Sequence, residues 1–275
     1  MRRSWPVIFA TIIFLCGTAL AAGPATAATA VRGPTGALVW PGGPGGHMTT
    51  IPREGLANVT AQTVVSSTNW AGYAATGTSG QFTSVSATWV QPAATCTGSG
   101  DQYSAFWVGL DGYSSSTVEQ TGTEVDCAGR TAEYSAWYEL YPAYPVYFKN
   151  AVRPGDSFTG SVTYSGGQFT ITLADVTAKW SQTYTQAVAS AVRSSAEVIA
   201  EAPSSSTSGN VLPLTNFGTV NFTGATVNGT TNLCSASGVT EITMPSVSVS
   251  SLACPGNFSV SYTGGGTGWP PWPWY

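Results

Sequence analysis

The chain has 275 residues, of which 43% are hydrophobic and only 8% charged, and its formal net charge is −4. That length exceeds the usual single domain, but one all-β sandwich can use more than about two hundred residues as a single unit. An acidic chain with so few basic residues repels phosphate backbones, which excludes nucleic acid as an expected partner.

The chain begins Met1-Arg2-Arg3, continues in an apolar run as far as Ala22, and then reaches the small-residue stretch Ala25-Thr26-Ala27. Two arginines, an apolar segment and an Ala-x-Ala site predict a secretory signal peptide over residues 1–27. Cys16 sits inside the apolar run behind bulky Leu15, which argues against a lipoprotein anchor. No later stretch approaches the roughly 20 apolar residues that span a bilayer. The expected product is therefore extracellular and free of the membrane once the signal is removed. Losing Arg2 and Arg3 takes its net charge to about −6.

Residues 28–66 are rich in Gly and Pro, then polar, without sustained periodicity, and are read as a pro-segment or flexible leader. The single histidine, His47, falls in this leader and reads as a solvated loop residue. From Ser67 the texture changes to short alternating runs such as TSVSATWVQP, SAFWVGLDG, AEYSAWYELYP and NFSVSYTG. Period-two alternation with a turn signal roughly every 8 to 12 residues predicts antiparallel strands in a sandwich or barrel. Thr159–Asp175 is the clearest hairpin, because Gly166-Gly167 supplies the positive φ angles of a tight turn. The domain is placed at 67–263, with residues 264–275, rich in Trp and Pro, as a tail packed on it.

Cys96, Cys127, Cys234 and Cys254 remain after the signal. An even count in an exported chain predicts two disulfides, most simply Cys96 with Cys127 and Cys234 with Cys254, although three pairings are open. Zinc is the competing reading, but there is no Cys-x-x-Cys and only one histidine. No metal and no other cofactor is expected.

Most hydrolytic mechanisms lack their parts. Ser-His-Asp and Cys-His catalysis need an imidazole base, and no histidine follows residue 66. His-Glu-x-x-His zinc signatures fail for the same reason, and there is no phosphate-binding glycine loop or paired Asp-Thr-Gly motif. Carboxylates remain, and Asp111, Glu119, Glu139, Glu197 and Glu201 all lie where aromatic residues are dense. As a helix, Ala196–Ala202 would stack two like charges at i and i+4, at a cost of roughly 0.2–0.5 kcal/mol. As a strand it puts Glu197, Ile199 and Glu201 on one face and Ala196, Val198 and Ala200 on the other. A glutamate held on a concave, aromatic-lined face is desolvated, which raises its pKa and suits it to exchange protons.

Seven blocks carry a resemblance: STNWAGY, FWVGLDG, VEQTGTE, AWYELYP, RPGDSF, AEVIAEAP and LTNFGTVNFTGATV. Their order over Ser67 to Tyr262 resembles that of the glutamic peptidases, the eqolisin family. The resemblance implies an antiparallel β-sandwich of two long sheets, a lectin-like (concanavalin-type) jelly roll with its active site on a concave sheet face. It also implies a secreted endopeptidase that acts in acid on protein or peptide substrates and is made with a pro-segment; a monomer is expected. Gln120 and Glu201 match the family's catalytic glutamine and glutamate. Trp107 and Tyr138 are expected as apolar cleft walls, Asp111 and Glu139 as groups that hold the pair by hydrogen bonds, and Glu197 as a flanking residue.

Two readings of other classes compete. A sandwich rich in Trp and Tyr can be a carbohydrate-binding module, since aromatic faces stack on sugar rings. Retaining glycoside hydrolysis needs two carboxylates about 5–5.5 Å apart. The neighbour of Glu201 discriminates: Gln120 favours the peptidase, a second carboxylate the glycosidase, and a solvated convex face the binding module.

Overall fold

The structure, a computed structural model, describes residues 63–264 apart from 99, 206 and 207, together with the backbone of a two-residue strand at 39–40. The expected signal peptide, His47 and the tail from residue 265 lie outside the described residues. Eighteen strands follow in chain order: β1 (Val39–Trp40), β2 (Thr63–Ser66), β3 (Trp70–Thr76), β4 (Ser84–Val90), β5 (Ala105–Leu110), β6 (Val118–Ala128), β7 (Thr131–Tyr141), β8 (Val146–Tyr147), β9 (Ser157–Ser165), β10 (Gln168–Asp175), β11 (Trp180–Gln186), β12 (Ser195–Glu201), β13 (Ser204–Ser205), β14 (Thr219–Val227), β15 (Thr231–Asn232), β16 (Val239–Thr243), β17 (Val247–Val249) and β18 (Phe258–Tyr262). Among the described residues the only helical segment is a 3₁₀ turn at Leu233–Ser235, and no helix is long and apolar enough to cross a membrane.

Sixteen of the strands form two eight-stranded sheets, and β1 pairs with β13. One runs β2-β16-β3-β12-β5-β6-β7-β8; the other runs β11-β10-β9-β4-β14-β18-β17, with β15 on β14. The all-β sandwich expected from period two is thus observed. β9 and β10 form the expected hairpin, joined through Gly166 at φ 58° and Gly167 at φ 82°, where a Cβ would strain the two-residue turn. One boundary differs from the sequence reading. Thr63–Ser66 pairs in parallel with Thr240–Thr243, so the sheet begins four residues ahead of Ser67 and the open edge of β16 is covered.

The two sheets differ in how they treat their outer faces. In the second sheet, β9 and β10 alternate buried and exposed positions, and outward threonines pair across strands, as Thr170 does with Thr185 and Thr172 with Thr183. The first sheet buries both faces along β5 and β12, where every residue is buried. Ala196, Val198 and Ala200 point inward with Tyr73, Phe106 and Val108 and meet Trp89, Phe158, Val162 and Phe222 of the other sheet. The outward face carries a second apolar cluster that includes Trp70, Trp107, Trp137 and Ile199. That second buried face is what creates a desolvated surface for chemistry.

Both disulfides join the expected partners, Cys96 with Cys127 and Cys234 with Cys254, each with Cα atoms 5.5 Å apart. Their separations of 31 and 20 residues correspond to about 3–4 kcal/mol each in restricted unfolded-chain entropy. In the core, the Trp89 indole N–H donates to Thr123 Oγ1 at 2.8 Å, bonding one sheet to the other. Replacing Trp89 with Phe leaves that hydroxyl buried without its donor, and the expected loss is about 1–3 kcal/mol in denaturant unfolding. Adding Thr123→Val to the Phe variant should recover part of that loss; a purely additive double variant would show that the bond contributes nothing.

Candidate active site

β12 lies between β3 and β5, antiparallel to both, and the register from β3 through β7 sets out the outer face in rows. One row reads Trp70, Glu201, Ala105, Glu124 and Ser135. The next reads Gly72, Ile199, Trp107, Gly122 and Trp137. The third reads Ala74, Glu197, Gly109, Gln120 and Glu139. Glu197, Glu201, Gln120 and Glu139 therefore share one face, as period two requires, and none has exposed surface.

Two glycines make room for the tryptophan at the centre. A Cβ on Gly122 would lie 2.3 Å from Phe106 O and 2.6 Å from Trp107 Cβ; one on Gly109 would meet the six-membered ring of Trp107 at 2.9 Å. The indole thus lies over Gly109, with its N–H turned the other way. Trp107 Nε1 donates to Glu201 Oε2 at 2.8 Å, and Trp70 packs edge-on against the same indole, ring centroids 4.8 Å apart. Trp107 is consequently more than the apolar wall expected from the sequence.

Gln120 is held from the other side. Its Nε2 donates to Glu139 Oε2 at 2.6 Å across the β6–β7 ladder. Burial, reinforced by the charge of Glu201, pushes Glu139 well above the usual carboxylate range, against a smaller lowering by the Gln120 hydrogen bond. Glu201, Glu139 and Gln120 are therefore contiguous in electrostatic reach. Glu201 thus has the Trp107 indole as its hydrogen-bond donor and Glu139 within electrostatic reach, and Glu139 in turn accepts from Gln120.

Three other expected site residues behave differently. Asp111, at φ 72° beyond the end of β5, accepts from the backbone N–H groups of Val192 at 2.8 Å, Arg193 at 2.6 Å and Ser194 at 3.0 Å. It anchors the turn that leads into β12 rather than bonding the Gln120–Glu201 pair itself. Tyr138 is not a cleft wall: between Trp137 and Glu139, it must point to the opposite face, where it stacks on Tyr184 with centroids 4.3 Å apart. Glu197 shares the site face but stands beyond Gly109 from Gln120, and burial, with the charges of Asp111 and Glu119 adding, pushes it well above its ordinary range. Glu119 points from the other face of β6, opposite Leu110 and Leu140, and burial and the Asp111 charge take it to about 8.

Sequence reasoning missed a second acidic group. Ser135 and Tyr147 both donate to Glu124, which burial takes to about 7 despite those bonds; burial and the Glu124 charge push Asp126 well above its range. The signal was present in the run Gln120-Thr121-Gly122-Thr123-Glu124-Val125-Asp126, whose alternate members share the face of Gln120.

The described domain is an all-β sandwich that carries a buried glutamine and a buried glutamate on one sheet face. Comparison with known proteins gives the domain its family. A profile described as the peptidase A4 family matches residues 68–262. The structure of scytalido-glutamic peptidase with a transition-state analogue inhibitor is similar at a TM-score of 0.60 and 26% identity, covering 71% of this chain and 98% of that one. The eqolisin SCP-B, solved with the tripeptide Ala-Ile-His, matches at a TM-score of 0.54 and 25% identity, covering 71% and 98%. Aspergilloglutamic peptidase from Aspergillus niger matches at 0.50 and 26%, covering 58% and 99%. A search of curated proteins gave no match. The chain belongs to the peptidase A4 family and is a glutamic peptidase.

The raised carboxyls fix the direction of pH dependence. Glu124 at about 7 and Glu119 at about 8 have folded values above their ordinary 4.5, so between these limits the folded chain binds more protons than the unfolded one. Their contribution is fully present below about pH 4.5 and is lost as pH rises through 7 to 8. The thermal midpoint should fall steadily from pH 4 to 8, and Glu119→Gln should flatten the upper part of that fall. A midpoint that rises towards neutrality would contradict the assignment.

Proposed function

We propose that this glutamic peptidase is a secreted endopeptidase that works in acid, with Glu201 as general base and Gln120 as oxyanion donor. The observation that carries this reading is Glu201 fixed by the Trp107 indole N–H at 2.8 Å, on the same buried sheet face as Gln120. The signal read in residues 1–27 and the two disulfides support export. Residues 28–66 serve as the pro-segment, apart from the sheet strand that begins at Thr63.

Ionised Glu201 takes a proton from a water lying between it and the scissile carbonyl, and the hydroxide attacks the carbonyl carbon. The carbonyl π electrons move onto oxygen, and the Gln120 side-chain N–H donates to that oxyanion. Protonated Glu201 then gives its proton to the departing amine, the C–N bond breaks, and the carbonyl re-forms. Water is consumed, the glutamate is regenerated, and no covalent intermediate is required. Trp107 keeps Glu201 from turning away between the two proton transfers.

Digestion of an acid-denatured protein substrate across pH 2 to 7 tests the reading. Wild type should cleave in acid only, Gln120→Ala should lose about 10²- to 10³-fold in kcat, and Glu201→Gln should be inactive with its fold intact. Activity surviving in Glu201→Gln would assign the base elsewhere. Inactive wild type, with its leader removed, would sink the mechanism.

A further inference from the structure

Glu139 is completely buried, bonds Gln120 through one oxygen, and has no partner for the other. Gln120 is bonded only through Nε2, and its Oε1 is likewise buried without a partner. The two ends of a side-chain amide have nearly the same shape but opposite polarity, so whichever atom of Glu139 faces the amide selects its orientation. An ionised carboxylate can only accept; it holds Nε2 and leaves the carbonyl Oε1 as the free end. A protonated carboxyl can instead donate to Oε1, and then Nε2 with both its hydrogens becomes the free end.

Those two orientations are not equivalent for the reaction. An oxyanion developing beside Oε1 would meet another partial negative charge, whereas beside Nε2 it meets two donors. We propose that Glu139 is a positioning residue which, as the neutral acid, donates its proton to Gln120 Oε1 and thereby turns the N–H₂ group towards the substrate carbonyl. The inference rests on the reading of Gln120 as oxyanion donor and adds what sets that donor's direction.

The groups around Glu139 favour its neutral form. Gln120 faces it from β6, Glu201 from β12, Tyr147 from β8, and Tyr141 follows on its own strand; burial is the main cause that raises both tyrosines. No cation is among the groups acting on it. With Glu201 ionised for catalysis, a second negative charge on the same desolvated face is opposed, and one proton is retained by the pair. In this arrangement acid does two things at one site: it protonates the residue that aims the amide and leaves the base charged.

The test compares wild type, Glu139→Gln and Glu139→Ala for kcat and KM on one peptide substrate from pH 3 to 7, with near-UV circular dichroism reporting the folded fraction at each point. The amide introduced by Glu139→Gln would be a permanent donor to Gln120 Oε1. Glu139→Gln should therefore stay within about threefold of wild type at the acid optimum and keep its activity to higher pH over the range where both are folded, since its donor does not titrate. Glu139→Ala should lose about 10- to 100-fold in kcat with KM little changed, because the amide is left unaimed rather than the cleft closed. A Glu139→Gln variant that falls as far as Glu139→Ala, or whose alkaline limb overlays that of wild type, overturns the proposal.

A second measurement does not depend on any variant of Glu139 folding. The ¹⁵N side-chain amide signals of Gln120, assigned by their disappearance in Gln120→Glu, should shift with pH in the folded wild type along the same curve as kcat. Signals that stay constant while kcat falls would overturn the proposal. Full activity in Gln120→Ala would instead sink the reading of Gln120 itself, whatever Glu139 does.

Discussion

A carboxyl group with no exposed surface must either be neutral or be surrounded by donors, and the outer face of the first sheet is built around that constraint. Glu124, Glu139 and Glu197 are buried there, and burial is the largest cause of the upward shift of each. The donors to Glu124 are hydroxyls and the donor to Glu139 is an amide; among the described residues no lysine or arginine is buried. With ion pairing absent from the buried set, protons do the neutralising. The same constraint that makes the face habitable in acid makes it costly at neutral pH, so fold stability falls as pH rises through the range of these carboxyls.

Asp111 plays a different part in the same sheet. Three backbone N–H groups converge on its carboxylate. Its charge adds to the burial that raises Glu119 and Glu197. The turn it ties, Val192–Ser194, delivers β12 into the sheet, and β12 carries two glutamates of the site face, Glu197 and Glu201. Tertiary position and electrostatic bias therefore come from a single side chain.

The extent to which this was legible in the sequence follows from which signals are local. Period two is local, and it assigned the faces of β12 correctly: Ile199 joins the outer cluster and Val198 the inter-sheet core. The Gly-Gly hairpin and both cysteine pairings were read for the same reason. Applied to β7, that same rule puts Tyr138 and Glu139 on opposite faces, which the family resemblance does not distinguish. The role of Asp111 was hidden because its partners are backbone groups 81 to 83 residues away. Glu124 and Asp126 were overlooked although they lie in register with Gln120, since a carboxyl gains significance only once the face it shares is known to be buried. The strand at Thr63 left no clear pattern because four residues pairing at an edge need no apolar face of their own.

The face also accounts for an amide as one member of the proposed catalytic pair. In that proposal Glu201 needs to be charged to take a proton from water, and its charge adds to the burial that raises Glu139. A glutamate at position 120 would stand directly beside Glu139 and add a third acid to the set. To serve as an oxyanion donor it would have to be protonated, and its proton would then be contested by Glu139 and Glu201. Glutamine removes that competition, because its N–H groups do not titrate and its donor strength is independent of pH. What an amide cannot do unaided is choose which end to present, since its oxygen and nitrogen fit the same space. In the proposed arrangement a neighbour that titrates supplies the choice, and the register places Glu139 directly across from Gln120. In the proposed mechanism the division of labour is then a physical one: the base carries the charge, the amide carries the donor, and the buried acid across the ladder from the amide carries the proton that aims it.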